Sequence, residues 1–443
     1  MTSCKSHERS KAQSYENLYT ACRTAEKSSN FDSAATRARI QQVFEAWFEK
    51  PPYDWQMDVT EALLVGLDSV VIAGTGCGKT MPFMMPLLND SSKKAVIISP
   101  LKVLQLDQVA RFRAMGITAA AVNGDTWCPR LEKELKAGAY SAILTLPEMC
   151  LTHPQFREFL SDAVVSEQVA MVVIDKAHCI SQWGGNFRKE YPQLDKLRVF
   201  FPSHVPFLIT SATMSPSVLQ NIQRSLNFDI SDAFFLNLGN DCPNIMMSTQ
   251  TVKSGRDFEA LIPLLTCDGT LPIIKQVLHK TIVFINSIAD AQKCACYIKS
   301  KLSLHLRKFV DVLHAQRTCR VKKQVMRNLK TGDTMVLVAT EAAGMGADIP
   351  EIQQVIQLGV PSSLSVWIQR AGRAGRSPHT CAWAILLVEK SGFQQQKRRK
   401  KGATDDNSSL ESDSEDDNLP EVLDGKMEWV KKVEEALQAW IEM

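Results

Sequence analysis

Short, unbroken apolar runs recur along the first half of the chain, at Ser69–Ala73, Ala95–Ser99, Ala119–Val122, Ala142–Thr145, Met171–Asp175 and Phe207–Thr210. None alternates between polar and apolar positions, which is the pattern of strands buried on both faces and so of a parallel sheet clothed in helices. The series restarts at Thr281–Ile285, Met335–Ala339, Val355–Leu358 and Ala382–Val388. The pattern predicts an α/β protein with two tandem domains, over 40–238 and 239–390. Ahead of the first run, apolar residues at 40, 43, 44, 47 and 48 share one helix face. Residues 1–39 are polar and read as a loosely held helical extension. After 390 a basic stretch, Gln394–Lys401, meets an acidic one, Thr404–Asp417, so 391–424 reads as a disordered linker. Apolar positions at 427, 430, 433, 437, 440 and 441 predict a helix over 425–443 that docks on the body or on a partner.

Composition narrows the class. Of 443 residues, 45% are hydrophobic and 22% charged, which is a globular profile. No apolar run approaches the roughly 20 residues of a membrane span, and the polar first thirty residues lack a signal-peptide core. No membrane partner is expected. Twelve cysteines without a CxxC pair suit reduced thiols inside a cell. A net charge of +3 neither demands nor excludes a nucleic-acid partner. Lys397–Lys401, KRRKK, reads as a nuclear localisation signal or as a solvated charge run, so the nucleus is expected, with the cytoplasm as alternative.

Two segments carry chemistry. Val70–Thr80, VVIAGTGCGKT, is a strand, a Gly-rich turn and Lys-Thr before a helix-compatible segment. In such a phosphate loop, Thr75, Gly76, Cys77 and Gly78 cradle the phosphates of ATP, Lys79 reaches the β- and γ-phosphates, and Thr80 holds Mg²⁺. The first position of the motif is Ala73 instead of Gly, and a tight β–α turn with a surface lysine is the bland alternative. Met171–His178, MVVIDKAH, ends a buried strand on Asp175, where a carboxylate would stand beside the metal.

The adjoining segment, Ala177–Leu194 (AHCISQWGGNFRKEYPQL), resembles the RecQ branch of superfamily 2 helicases, where D-E-A-H precedes C-I-S-Q-W-G and F-R. The similarity stays collinear through Ser99–Leu101, Asp107–Val109, Ser211–Thr213, Asp241–Ile245, Val338–Asp348 and Gln369–Arg376. The resemblance implies two RecA-like domains with the ATP cleft between them, and a DNA helicase moving 3′ to 5′ on single-stranded, forked or junction DNA. It implies an adenine-reading role for Gln56 and catalytic roles for Lys79, Asp175 and His178. In the sixth motif, Gln369–Arg376, Arg373 and Arg376 would be arginine fingers, and Asp348 would lie on the nucleotide side of the fifth motif. Lys102, Thr145 and Thr340 would contact the nucleic-acid backbone. Trp183, Phe187, Arg188 and Tyr191 form an aromatic cluster with a cation that can stack on bases and pair with phosphate, or serve as core anchors.

Two departures stand out. The family's catalytic Glu, which orients or deprotonates the attacking water, is Lys176 here. An ammonium cannot take that proton, and losing a general base costs about 10²–10⁴ in rate. The chain would then bind ATP and hydrolyse it weakly or not at all, or use another group such as Gln369; a single-base change from a Glu codon is the third reading. Second, only Cys381 lies beyond Arg376, so the four-cysteine zinc subdomain of RecQ enzymes cannot form there. Movement along DNA is expected to exceed unwinding. The alternatives are a hydrolysis-deficient pseudo-helicase acting as an ATP-gated DNA-binding protein, and an RNA helicase.

Overall fold

The computed structural model describes residues 2–100, 102–179, 191–265, 278–341, 349, 351–376, 380–389, 395–398, 423–429 and 433–443. They form two compact units that divide after Asp241.

In the first unit the apolar runs become β1 (Ser69–Ile72), β2 (Lys94–Ile98), β3 (Ala119–Val122), β4 (Ala142–Thr145), β5 (Val169–Asp175) and β6 (Phe207–Ser211), joined by an unforeseen β7 (Phe234–Asn237). The sheet is parallel throughout, in the order β3-β4-β2-β5-β6-β1-β7. Successive side chains feed separate cores on its two faces. Val70, Val96, Val172 and Ile209 enter one, and Val71, Ile97, Val173 and Leu208 the other. That is why the runs are apolar without alternation.

Both margins of this sheet are closed by side chains. Along β3, Arg113 donates to the carbonyl of Ala119 at 2.8 and 3.0 Å, and the Thr126 hydroxyl donates to that of Ala121 at 2.7 Å. Along β7 the closure comes from α1 (Thr2–Ser29). Asn17 donates to the carbonyls of Ser231 and Ala233, at 2.7 and 3.0 Å, and the Ser14 hydroxyl accepts from the Phe235 amide at 3.1 Å. Such caps remove the free donors and acceptors that would template a foreign strand. Helix α1 is therefore firmly seated, with Leu18 and Cys22 buried and Tyr15 edge-on to Phe234 at 5.4 Å. This corrects the expectation of a loose extension. Its polar residues, read as solvated, include the Asn17 and Ser14 that bond the sheet margin. α2 (Ser33–Phe48), capped by Asp32, covers the predicted helix face, and its Arg37 bridges Asp58 and Glu61 of α3 (Asp54–Leu64) at 2.8 and 2.6 Å.

The second unit holds β8 (Ile245–Val252), β9 (Thr281–Ile285), β10 (Val310–Leu313), β11 (Val336–Ala339), β12 (Gln354–Leu358) and β13 (Ala382–Glu389), parallel in the order β10-β11-β9-β12-β13-β8. The segment read as a linker and terminal helix differs from expectation. β14 (Gln395–Arg398) pairs antiparallel with β15 (Leu423–Trp429), so part of the linker and the start of the expected helix are strand. Leu423–Trp429, LDGKMEW, sets Met427 and Trp429 two apart between charges, a strand period that the helical count absorbed. Helix Glu435–Glu442 remains and does dock. Leu437 and Ile441 are buried, Trp440 lies 5.7 Å from Trp367, and Glu434 accepts from the Leu364 amide. The acidic tract 404–417 lies outside the described residues. No helix among the described residues is long and apolar enough to cross a membrane.

Candidate nucleotide site

The strand order β5-β6-β1 sets three carboxyl ends side by side, Asp175 opposite Thr210 and Ile72 opposite Ser211. In open parallel sheets ligands bind at this edge. The chain leaves β1 through the predicted phosphate loop and enters α4 (Met81–Asn89). Gly76 and Gly78 take φ of +93° and +79°, a region closed to most side chains. A Cβ on Gly78 would stand 2.6 Å from Gln56 Nε2. Gln56 is buried and fully engaged: Nε2 donates to the Gly78 carbonyl at 3.2 Å, and Oε1 accepts from the Tyr53 amide at 3.1 Å. It thus braces the loop from beneath, a role the sequence did not suggest. Lys79 Nζ donates to the carbonyls of Ala73 and Gly74, both at 2.6 Å. Thr80 is the N-cap of α4, yet its hydroxyl makes no capping bond. Thr75 and Cys77 complete the loop, partly exposed. Amides that start a helix and a lysine beside them suit a phosphate chain.

Asp175 is buried at the end of β5. Lys176 Nζ donates to its Oδ2 at 2.7 Å, and Gln108 from α5 (Lys102–Ala114) donates to the same oxygen at 3.3 Å. Burial alone would raise the Asp175 carboxyl, but the ammonium groups of Lys176 and Lys79 and the Gln108 amide hold it below the ordinary range. His178 Nδ1 meets the Ser211 hydroxyl at 2.7 Å, and that hydroxyl donates to the Thr213 carbonyl. Burial first, then the cations Lys176 and Lys79, bring the imidazole down to about 4 against the opposing pull of Asp175, so it is neutral at ordinary pH. The pair ties the turn after β5 to the Ser211–Thr213 segment after β6.

In the second unit, helix Leu364–Ala371 carries Gln369 and leads into a turn carrying Arg373 and Arg376. Gln369 and Arg373 are largely buried. Arg370 anchors this helix to the sheet through Gln357, Asn286 and Glu341. The turn is pinned from two sides. The Gly375 amide donates to the Ile352 carbonyl at 3.0 Å, and Asn244 Nδ2 donates to the carbonyls of Gly375 and Thr380 at 2.6 and 3.1 Å. The only signal for Asn244 in the sequence was its place in Asp241–Ile245.

The family model described as DEAD/DEAH box helicase matches residues 53–222, and that described as helicase conserved C-terminal domain matches residues 263–378. The chain belongs to the DEAD/DEAH box helicases. Within this family it is 31% identical over 341 residues to the ATP-dependent DNA helicase RecQ of Pasteurella multocida, covering 76% of this chain and 50% of that protein. It is 29% identical over 325 residues to the bifunctional 3′-5′ exonuclease/ATP-dependent helicase WRN of Mus musculus, covering 73% and 22%. The chain spans about half the length of the RecQ relatives from Pasteurella multocida and Haemophilus influenzae. The DUF1998 helicase MrfA, solved bound to DNA and AMPPNP, superposes with a TM-score of 0.64 at 20% identity over 80% of this chain and 50% of that one. S. cerevisiae Dbp5, solved bound to RNA and ADP BeF3, gives 0.62 at 20% identity over 80% and 87%. Both units of this DEAD/DEAH box family member are thus RecA-like in fold.

The expected nucleic-acid residues of this helicase-family chain are unevenly placed. Lys102 is exposed at the start of α5 and paired with Asp125 at 2.7 Å. Thr145 is wholly buried at the end of β4, which lies between β3 and β2. Thr340 is nearly buried after β11, its amide donating to the Leu313 carbonyl. Trp183, Phe187 and Arg188, the Tyr191 side chain and Asp348 lie outside the described residues. The loop fits a nucleoside triphosphate. A divalent cation fits less well: Thr80 offers a hydroxyl, but Asp175 Oδ2 already receives an ammonium and an amide.

Proposed function

We propose that this chain is an ATP-dependent DNA motor of RecQ type, moving 3′ to 5′, with turnover slowed by Lys176. The observation that carries the reading is the carboxyl edge of β5-β6-β1, where Lys79, Asp175 and the His178–Ser211 pair converge. Loop amides and Lys79 hold the β- and γ-phosphates. Neutral His178 passes a change at Asp175 to Ser211–Thr213, the segment the RecQ resemblance links to strand movement. By the RecQ resemblance Arg373 and Arg376 would serve as arginine fingers, a contribution of about 10³–10⁵ in rate where such groups act. The relatives named as DNA helicases, RecQ of Pasteurella multocida and of Haemophilus influenzae, support DNA as the track.

The test is ATP turnover of the purified chain with and without single-stranded DNA, followed by displacement from 3′- and 5′-tailed duplexes. Stimulation by DNA and preference for the 3′ tail are expected. Equal competition by RNA of the same sequence would replace DNA by RNA in the reading. The Asp175–Lys176 ion pair also favours a second reading, a nucleotide-gated DNA-binding protein without hydrolysis. Tight nucleotide and DNA binding with no turnover under any condition would select it.

A further inference from the structure

We propose that the ammonium of Lys176 takes the place of a divalent cation at Asp175, so that this chain binds nucleoside triphosphate without a metal. The inference rests on the nucleotide site proposed above and concerns what neutralises the phosphates there.

Three observations carry it. The first is position. Lys176 Nζ stands 2.7 Å from Asp175 Oδ2, and Gln108 supplies a second donor to that oxygen. The carboxylate that would hold a metal, directly or through its water, is already bonded to a cation of this chain.

The second is the backbone. Lys176 has φ of +58°, a left-handed conformation that costs a non-glycine residue roughly 1–2 kcal/mol. Strain of this kind persists only where the surroundings impose it. Here the Ala177 amide donates to the Thr210 carbonyl at 3.0 Å and the Cys179 amide to the Lys176 carbonyl at 2.9 Å. The ammonium is thus carried on a fixed turn between two bonded residues, not on a loose loop. Its side chain is 25% exposed against 9% for Asp175, so an incoming phosphate can still reach it.

The third is charge. Lys79, Asp175 and Lys176 together carry one positive charge. A carboxylate at position 176 would leave one negative charge, and a divalent cation would be needed to return to one positive. Lysine in that place supplies the whole difference. Two ammonium groups flanking one carboxylate then face the triphosphate, and Coulomb attraction within the partly shielded edge favours its binding.

The experiment is equilibrium binding of a fluorescent ATP derivative to the purified chain, in Mg²⁺ and in excess EDTA. The wild-type Kd is expected to agree within about threefold between the two, less than 1 kcal/mol apart. Lys176→Glu is expected to bind at least about tenfold more weakly in EDTA and to recover in Mg²⁺. Lys79→Ala should weaken binding in both. A wild-type loss of about tenfold or more in EDTA overturns the inference while leaving the nucleotide site intact. No binding in either condition overturns the nucleotide-site reading and the inference with it. Should Lys176→Glu fail to fold, the wild-type comparison decides alone.

Discussion

Replacing Asn244 by aspartate exchanges an amide for a carboxylate of nearly the same shape and removes every donor the side chain has. Nδ2 now donates to the carbonyls of Gly375 and Thr380 at 2.6 and 3.1 Å. Each bond contributes a net of about 1 kcal/mol, and a carbonyl left facing an acceptor costs about 1–3 kcal/mol more. Asn244→Asp should therefore destabilise the second unit by about 3–5 kcal/mol, a large share of the 5–15 kcal/mol typical of a domain. Asn244→Ala, which removes the donors without adding charge, should cost less. Urea unfolding followed by tryptophan fluorescence reads the difference, because Trp367 is buried in this unit. Turnover adds a second readout. Gly375 sits between Arg373 and Arg376 in a turn with φ of +57°, and a displacement of about 1 Å in such a group can cost about 10²-fold. In conditions where Asn244→Asp remains folded, kcat should fall by that order with nucleotide Kd nearly unchanged. An Asn244→Asp protein that unfolds at the wild-type urea midpoint would refute the reasoning.

Three further outcomes are expected. Lys176→Glu should hydrolyse ATP at least about 100-fold faster than wild type in Mg²⁺, by the general-base argument; equal rates, measured by phosphate release, would show that position 176 does not limit turnover. Gly78→Ala places a Cβ 2.6 Å from Gln56 Nε2 at φ of +79°, so nucleotide affinity should drop about tenfold or more with the thermal midpoint little changed; unaltered affinity in a fluorescence titration would sink this. His178 titrates near 4 in the folded chain against an ordinary 6.5. Between those values the unfolded chain takes the proton first, so stability falls as pH drops through the window and is fully present above 6.5, a change of about 3 kcal/mol. The difference in thermal midpoint between wild type and His178→Gln should shrink on acidification from pH 6.5 to 4, and a constant difference would contradict it.

The two sheets were legible because both their faces are buried and a parallel core needs unbroken apolar runs. The strands that escaped notice lie where that demand relaxes. β8 is a margin strand of mixed polarity, Ser248–Gln250 among its residues, and β10 is broken by the half-exposed Asp311. β15 was hidden because Met427, Val430 and Val433 also satisfy a helical spacing. At the site, residue types in chain order announced Lys79, Asp175, Arg373 and Arg376. Local pattern carries no sign of a bond such as Asn244 to Gly375, which spans 131 residues. Nor does it show that Gln56 braces the phosphate loop, or that Lys176 turns left-handed onto its neighbour. Those depend on which strand ends the topology makes adjacent.

The seat of α1 on β7 also sets an order of events at birth. Asn17 and Ser231 are separated by 214 positions. At a synthesis rate of about 5–20 residues per second, the first helix emerges roughly 10–40 s before its partner exists. β1 waits as well, since it is inserted between β6 and β7. During nascent growth the helix lacks its seat on β7, and the first unit completes only when that strand clears the ribosome.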